Sequence, residues 1–268
     1  MQNDALLAEA GTIVAPPGKM RPAIRRAMQA RGDLVSESAS GLLEEMLGDR
    51  AAEAQRVVLS HEGFLGVYAK VLAGPLFYAD ADKRASKLRD LFPGHQVRFH
   101  LGLRNPATFV PALFEASSIE DFDAFIAGHD IEAMRWSAVI DRIRGACPDV
   151  PLTIWCNEDL PLIWPDLLRD MAGVDAEMKG EDAILRQIMT RAGFQRLTDY
   201  LRDNPAPDLK TWRKVVTAFL GKYADPAKID EEIALPGWSE ERIAALTVLY
   251  ERDIEAIAGR DDLTFIRP

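Results

Sequence analysis

The chain has 268 residues, 48 % of them apolar and two of them cysteine, enough for one large core without disulfide or metal staples. Its 42 acidic and 32 basic side chains leave a net charge of −10, which argues against nucleic acid or membrane as a main partner, since both call for a basic footprint. Met1-Gln2-Asn3-Asp4 lacks the basic region and apolar run of a secretory signal, and no stretch of about 18 apolar residues occurs. With Cys147 and Cys156 read as reduced structural thiols, a cytoplasmic protein is expected.

Asp4 to Ala10 predicts a short helix stopped at Gly11, and Thr12 to Ala15 a buried strand closed by Pro16-Pro17-Gly18. Met20 to Arg31 predicts a basic amphipathic helix and Ser40 to Leu47 another. Arg56 to Ser60 is β-branched and apolar on both faces, as a central parallel strand is. Helices are predicted over Phe64 to Ala73 and Asp80 to Leu91, then a strand over Val97 to Leu103. Further helices are predicted over Pro106 to Ala116, Ile119 to Ala127 and Ile131 to Cys147, before a strand at Leu152 to Cys156. Beyond Trp164 the pattern is nearly all helical, broken at Asn204-Pro205-Ala206-Pro207 and Leu235-Pro236-Gly237, with a short last strand at Thr264 to Ile266.

Strands alternating with helices predict an α/β fold, a parallel β-sheet flanked by helices. Residues 1–268 are expected to form a single domain, with 165–268 as a helical portion packed on the sheet. In such sheets ligands bind outside the carboxyl ends of the strands. Those ends deliver Ser60-His61-Glu62-Gly63, Arg104-Asn105-Pro106 and Asn157-Glu158-Asp159.

His61 with Glu62 is the acid/base candidate, because an imidazole or carboxylate at a strand end reaches a substrate hydroxyl. The alternative is a helix cap or a backbone hydrogen bond. Arg104 is the anion-binding candidate, a fork of donors beside a helix N-terminus at Pro106; a structural ion pair with Glu115 or Asp121 is its alternative. Glu158 and Asp159 are either paired carboxylates or a helix cap. His100, inside a strand, is read as a satisfied core residue, and His95 and His129 as loop residues. The four histidines make no ligand spacing, so no metal is expected. Gly18-Lys19 lies between a strand and a helix, but Ile13 and Met20 stand where a phosphate loop needs glycine and a hydroxyl, so it reads as an ordinary turn.

Several short segments together resemble the bacterial branch of the P-loop sulfotransferase family. They are Leu6 to Gly11 with the strand to Pro16, Val57 to Phe64, Leu103-Arg104-Asn105-Pro106, Ile154 to Asp159, and Trp238 to Pro268 with Tyr250-Glu251-Arg252-Asp253-Ile254. The resemblance implies a P-loop nucleoside triphosphate hydrolase-type fold that binds PAPS and its product PAP. It implies sulfuryl transfer to a hydroxyl or amine of a small-molecule, sugar or peptide acceptor. By position, Arg104 matches the arginine on the 3′-phosphate, with Ser60 and Asn105 beside it as further donor-binding residues, and His61 or Glu62 would be the base. Two departures stand out: the position eight after Arg104 is Ala112 rather than serine, and the family's 5′-phosphosulfate loop would fall ahead of Met1. Without that loop the transferring group loses its electrostatic support. A non-catalytic binding or assembly protein on the same fold, including a homodimer built through the tail bearing Trp212, Trp238 and Tyr250, therefore stands beside the transferase reading. A nucleotide-dependent phosphotransferase using Gly18-Lys19 is the third.

Overall fold

A computed structural model describes residues 3–29, 39–229, 235 and 237–268. Helix α1 (Asp4–Glu9) ends at Gly11, whose φ of +61° and whose approach to Gln55 leave no room for a side chain: an added Cβ would lie 2.8 Å from Gln55. The β-branched run that follows forms β1 (Thr12–Val14), which pairs in parallel with β2 (Arg56–Val58) in the register Thr12↔Arg56 to Val14↔Val58. Between them lie α2 (Pro17–Gln29) and α3 (Ala39–Leu47). Pro17 opens α2, so Gly18-Lys19 sits in a helical first turn rather than the expected turn, and Arg31 lies outside the described residues.

The helix α4 (Ala81–Asp90) leads to β3 (Phe99–Leu103), two residues later than expected. After α5 (Pro106–Ala116), α6 (Phe122–Ile126) and α7 (Trp136–Ala146) comes β4 (Leu152–Cys156). Strand β4 pairs in parallel with β3, and β5 (Thr264–Phe265) adds to its other edge. The strands therefore form two parallel sheets, β1-β2 and β3-β4-β5, where a single sheet was expected. The break falls between β2 and β3, which make no ladder with each other.

Two expected helices are corrected. Phe64 to Ala73 holds only a 3₁₀ turn at Tyr68–Lys70. Gly66 interrupts its apolar run at a cost to a helix of about 1 kcal/mol, and Gly63 and Gly74-Pro75 bound it. Ile131 to Cys147 divides into a 3₁₀ turn at Ile131–Ala133 and α7, with Met134 and Arg135 extended between them. Two carboxylates set that break. Asp130 accepts from the Glu132 N–H at 3.0 Å, while buried Asp253 accepts from the Trp136 and Ser137 N–H groups at 2.6 and 3.2 Å and caps α7.

The chain after β4 divides three ways. Helix α8 (Leu160–Ala172) covers the first sheet, where Thr12 Oγ1 donates to the Ala172 carbonyl at 2.7 Å. Helices α9 (Ala183–Ile188), α10 (Arg191–Asp203), α11 (Leu209–Tyr223) and α12 (Pro226–Ile229) follow. The first three bury Leu185, Met189, Leu197 and Val216 in a small core of their own, against Leu162 of α8. Helix α13 (Glu240–Ala258) returns to the main core and packs Leu246, Tyr250 and Ile257 beside α5 and α7. Among the described residues no helix is long and apolar enough to cross a membrane.

Candidate functional site

Strand β2 stops at Val58, and the chain continues through exposed Ser60 into a loop. There His61 Nδ1 lies 2.9 Å from Glu62 Oε2. The same oxygen accepts from Arg21 Nη2 of α2 at 3.2 Å, and the Tyr68 hydroxyl donates to Glu62 Oε1 at 3.4 Å. Arg84 of α4 pins the loop, donating to the Phe64 and Gly63 carbonyls at 2.7 and 3.2 Å. The Phe64 ring stands edge-on to the imidazole, with centroids 5.5 Å apart. The hydrogen bond from His61 holds the Glu62 carboxyl below the usual carboxylate range, helped by the backbone and by the charges of His61 and Arg21.

That arrangement has a chemical meaning. With Nδ1–H donating to Glu62, His61 keeps the Nε2 lone pair as an acceptor for a proton. The imidazole side chain is 22 % exposed and the carboxylate 49 %, so both are open to solvent.

The end of β3 is built differently. Asn105 caps α5, its Oδ1 accepting from the Ala107 N–H at 3.0 Å while its Nδ2 donates to Thr247 of α13 at 2.9 Å. The Asn105 N–H donates to Glu158 Oε1 at 2.7 Å, and the Tyr250 hydroxyl donates to Glu158 Oε2 at 3.0 Å. Arg104 Nε donates to Thr108 Oγ1 at 3.1 Å, and its carbonyl accepts from Trp136 Nε1 at 2.8 Å. Burial pushes the Cys156 thiol up to about 11 and raises Tyr250 above the ordinary phenol value. Burial raises Asp159 as well, with the Glu158 charge adding to it. Asp159 occupies the position before Leu160, but its side chain makes no cap hydrogen bond. Gly102 lets Asn157 come close where β3 meets β4: a Cβ there would lie 2.6 Å from Asn157 Oδ1.

Each sequence cluster is thus found at a strand's carboxyl end. His61 and Glu62 touch each other; Asn105 and Glu158 touch each other; no direct contact joins the two pairs among the described residues. Arg21 was missed as a partner of Glu62, and Thr247 as a partner of Asn105, because pairings this distant leave no trace in local sequence; Tyr68, only six residues from Glu62, was missed because that segment was expected to be helical. The N-cap role of Asn105, expected only as a donor-binding residue, was missed too, although an Asn before Pro-Ala is a helix-start signal. His100 is satisfied, but by Asp170 of α8 at 2.8 Å, on the opposite side of the sheet layer from the apolar core. Among the described residues no group of three or more His, Cys, Asp or Glu side chains is placed to hold a metal. The chain matches no protein-family model, no curated protein and no solved structure.

Proposed function

We propose that the carboxyl ends of β2 and β3 form a group-transfer site of the sulfotransferase kind, in which His61 is the base that takes the acceptor's proton. The observation that carries this reading is the 2.9 Å contact between His61 Nδ1 and Glu62, which orients the ring and, with Nδ1 donating, leaves Nε2 as the acceptor. Arg104 is the arginine for the donor's 3′-phosphate, at the N-terminal end of α5. Apolar Val67 and Leu76, 55 % and 51 % exposed, lie on the same loop as His61 and give an acceptor a surface to rest on. Titration with PAP tests the reading: one mole should bind per mole of chain and raise Tm, Arg104→Ala should weaken binding at least roughly tenfold, and His61→Ala should leave it unchanged. No binding at millimolar PAP would end the donor assignment.

One observation favours a second reading, a non-catalytic binding protein on the same architecture. Asn105 and Glu158 are already engaged with each other and with α13. On that reading PAP binds, while no acceptor is sulfated and His61→Ala has no consequence for any partner.

A further inference from the structure

The loop after β2 carries a glycine that its backbone does not call for. Gly63 lacks the positive φ that sets glycine apart at Gly11 or Gly173, so the sign of φ gives no reason to leave out a side chain. The reason lies in the space beside it. A Cβ on Gly63 would lie 3.2 Å from His61 Nε2 and 3.3 Å from His61 Cε1, both closer than the about 3.5–4.0 Å at which such atoms rest. Gly66, three residues on, differs: an added Cβ there would meet the Tyr78 ring at 3.5 Å and Val71 at 3.9 Å, which are ordinary contacts.

Both sides of the close approach at Gly63 are held. The Gly63 carbonyl accepts from Arg84 Nη2 at 3.2 Å and the Phe64 carbonyl from Arg84 Nε at 2.7 Å, which fixes the peptide that would carry the Cβ. The imidazole is fixed from its other nitrogen. Nδ1 lies 2.9 Å from Glu62 Oε2 and 3.5 Å from the Gly63 nitrogen, and the Phe64 ring stands edge-on to it. A side chain at position 63 would therefore stand against the Nε2–Cε1 edge of the ring. With Nδ1 donating to Glu62, Nε2 is the nitrogen that keeps a lone pair.

We infer that Gly63 decides whether His61 can react: the missing side chain leaves Nε2 open, and a group that gives up its proton there comes in across Gly63. The openness of Nε2 stands on the loop geometry alone. The identity of the incoming group as the acceptor rests on the group-transfer reading, and on that reading the size of residue 63 limits which acceptors reach the base.

Diethylpyrocarbonate tests the access, because it modifies an unprotonated imidazole nitrogen. The full chain is treated with it, and mass spectrometry of the histidine peptides gives the rate at each ring, with exposed His95 in the same sample as the reference. Relative to His95, modification of His61 should slow at least roughly tenfold in Gly63→Val and at least roughly threefold in Gly63→Ala, and should keep its rate in Gly66→Ala. Thermal melts identify which variants fold, and Gly63→Ala, the smaller change, carries the test where Gly63→Val does not. A His61 rate that is unchanged or faster in folded Gly63→Ala would overturn the inference. Equal slowing in Gly66→Ala would do so too, since the effect would then be a general disturbance of the loop, as would a wild-type His61 that resists the reagent. Failure of PAP to bind would end the donor assignment and leave these rates as they are, so the two failures are told apart.

Discussion

The carboxyl ends of β2 and β3 start from the same pattern, an apolar strand turning polar at its last residue, and reach different fates. At β2 the polar side chains face one another: Glu62 gathers His61, Arg21 and Tyr68, all at least partly exposed. At β3 and β4 they face a helix: Asn105, Glu158 and Tyr250 tie α5, the end of β4 and α13 together. Where a later segment of the chain folds over a polar cluster after a buried strand, the side chains it meets are taken up in holding that segment, as Asn105 and Glu158 are. Here α13 arrives over one strand end and leaves the other open.

Stability measurements separate the two ends. The largest loss should come from Asp253→Ala on the α13 side, which leaves the first N–H groups of α7 without an acceptor in a buried place and costs about 3 kcal/mol in urea denaturation. Next, Tyr250→Phe removes the hydroxyl donor to Glu158 and should cost about 1 kcal/mol by the same measurement. On the open side, His61→Ala and Glu62→Gln should each change stability by no more than about 0.5 kcal/mol. A loss at Glu62 as large as that at Tyr250 would erase the distinction between the two ends.

Acid sensitivity sharpens the contrast. Asp262, just after α13, is held down to about 2, first by its hydrogen bonds from Arg260 and then by the charges of Arg260 and a hydrogen bond from Arg144. A carboxylate depressed in the folded state stabilises above its unfolded value and loses that contribution as pH falls through the folded one. Between about pH 4 and about pH 2 the chain should therefore lose Tm, and Asp262→Asn should flatten that part of the curve. The exposure of Asp262 makes this the smallest of the effects.

What the sequence made legible follows from distance along the chain. Strands β1 to β4 stand out as short apolar runs between turn residues, and the His61–Glu62 pair is legible because its members are adjacent. The Phe64–Ala73 segment misled because its apolar spacing suits a helix, while its glycines and the packing of Gly66 against the Tyr78 ring decide otherwise. The division into two sheets was not legible, since an apolar strand reads the same whether its neighbour is one strand away or two. Contacts such as Arg21 with Glu62 or Asn105 with Thr247 depend on how helices cross the sheets, which no local pattern encodes.

The central claim is that His61 and Arg104, on separate sheets, line one site, so that a donor held by Arg104 lies close enough to His61 to change its surroundings. Histidine-labelled protein followed by NMR during a PAP titration tests it most directly. The account predicts that the His61 ring signals shift with saturating behaviour, that His95, His100 and His129 stay still, and that Arg104→Ala abolishes the shift at the same PAP concentration. PAP binding that leaves His61 unmoved, or a His61 shift that survives Arg104→Ala undiminished, would contradict it.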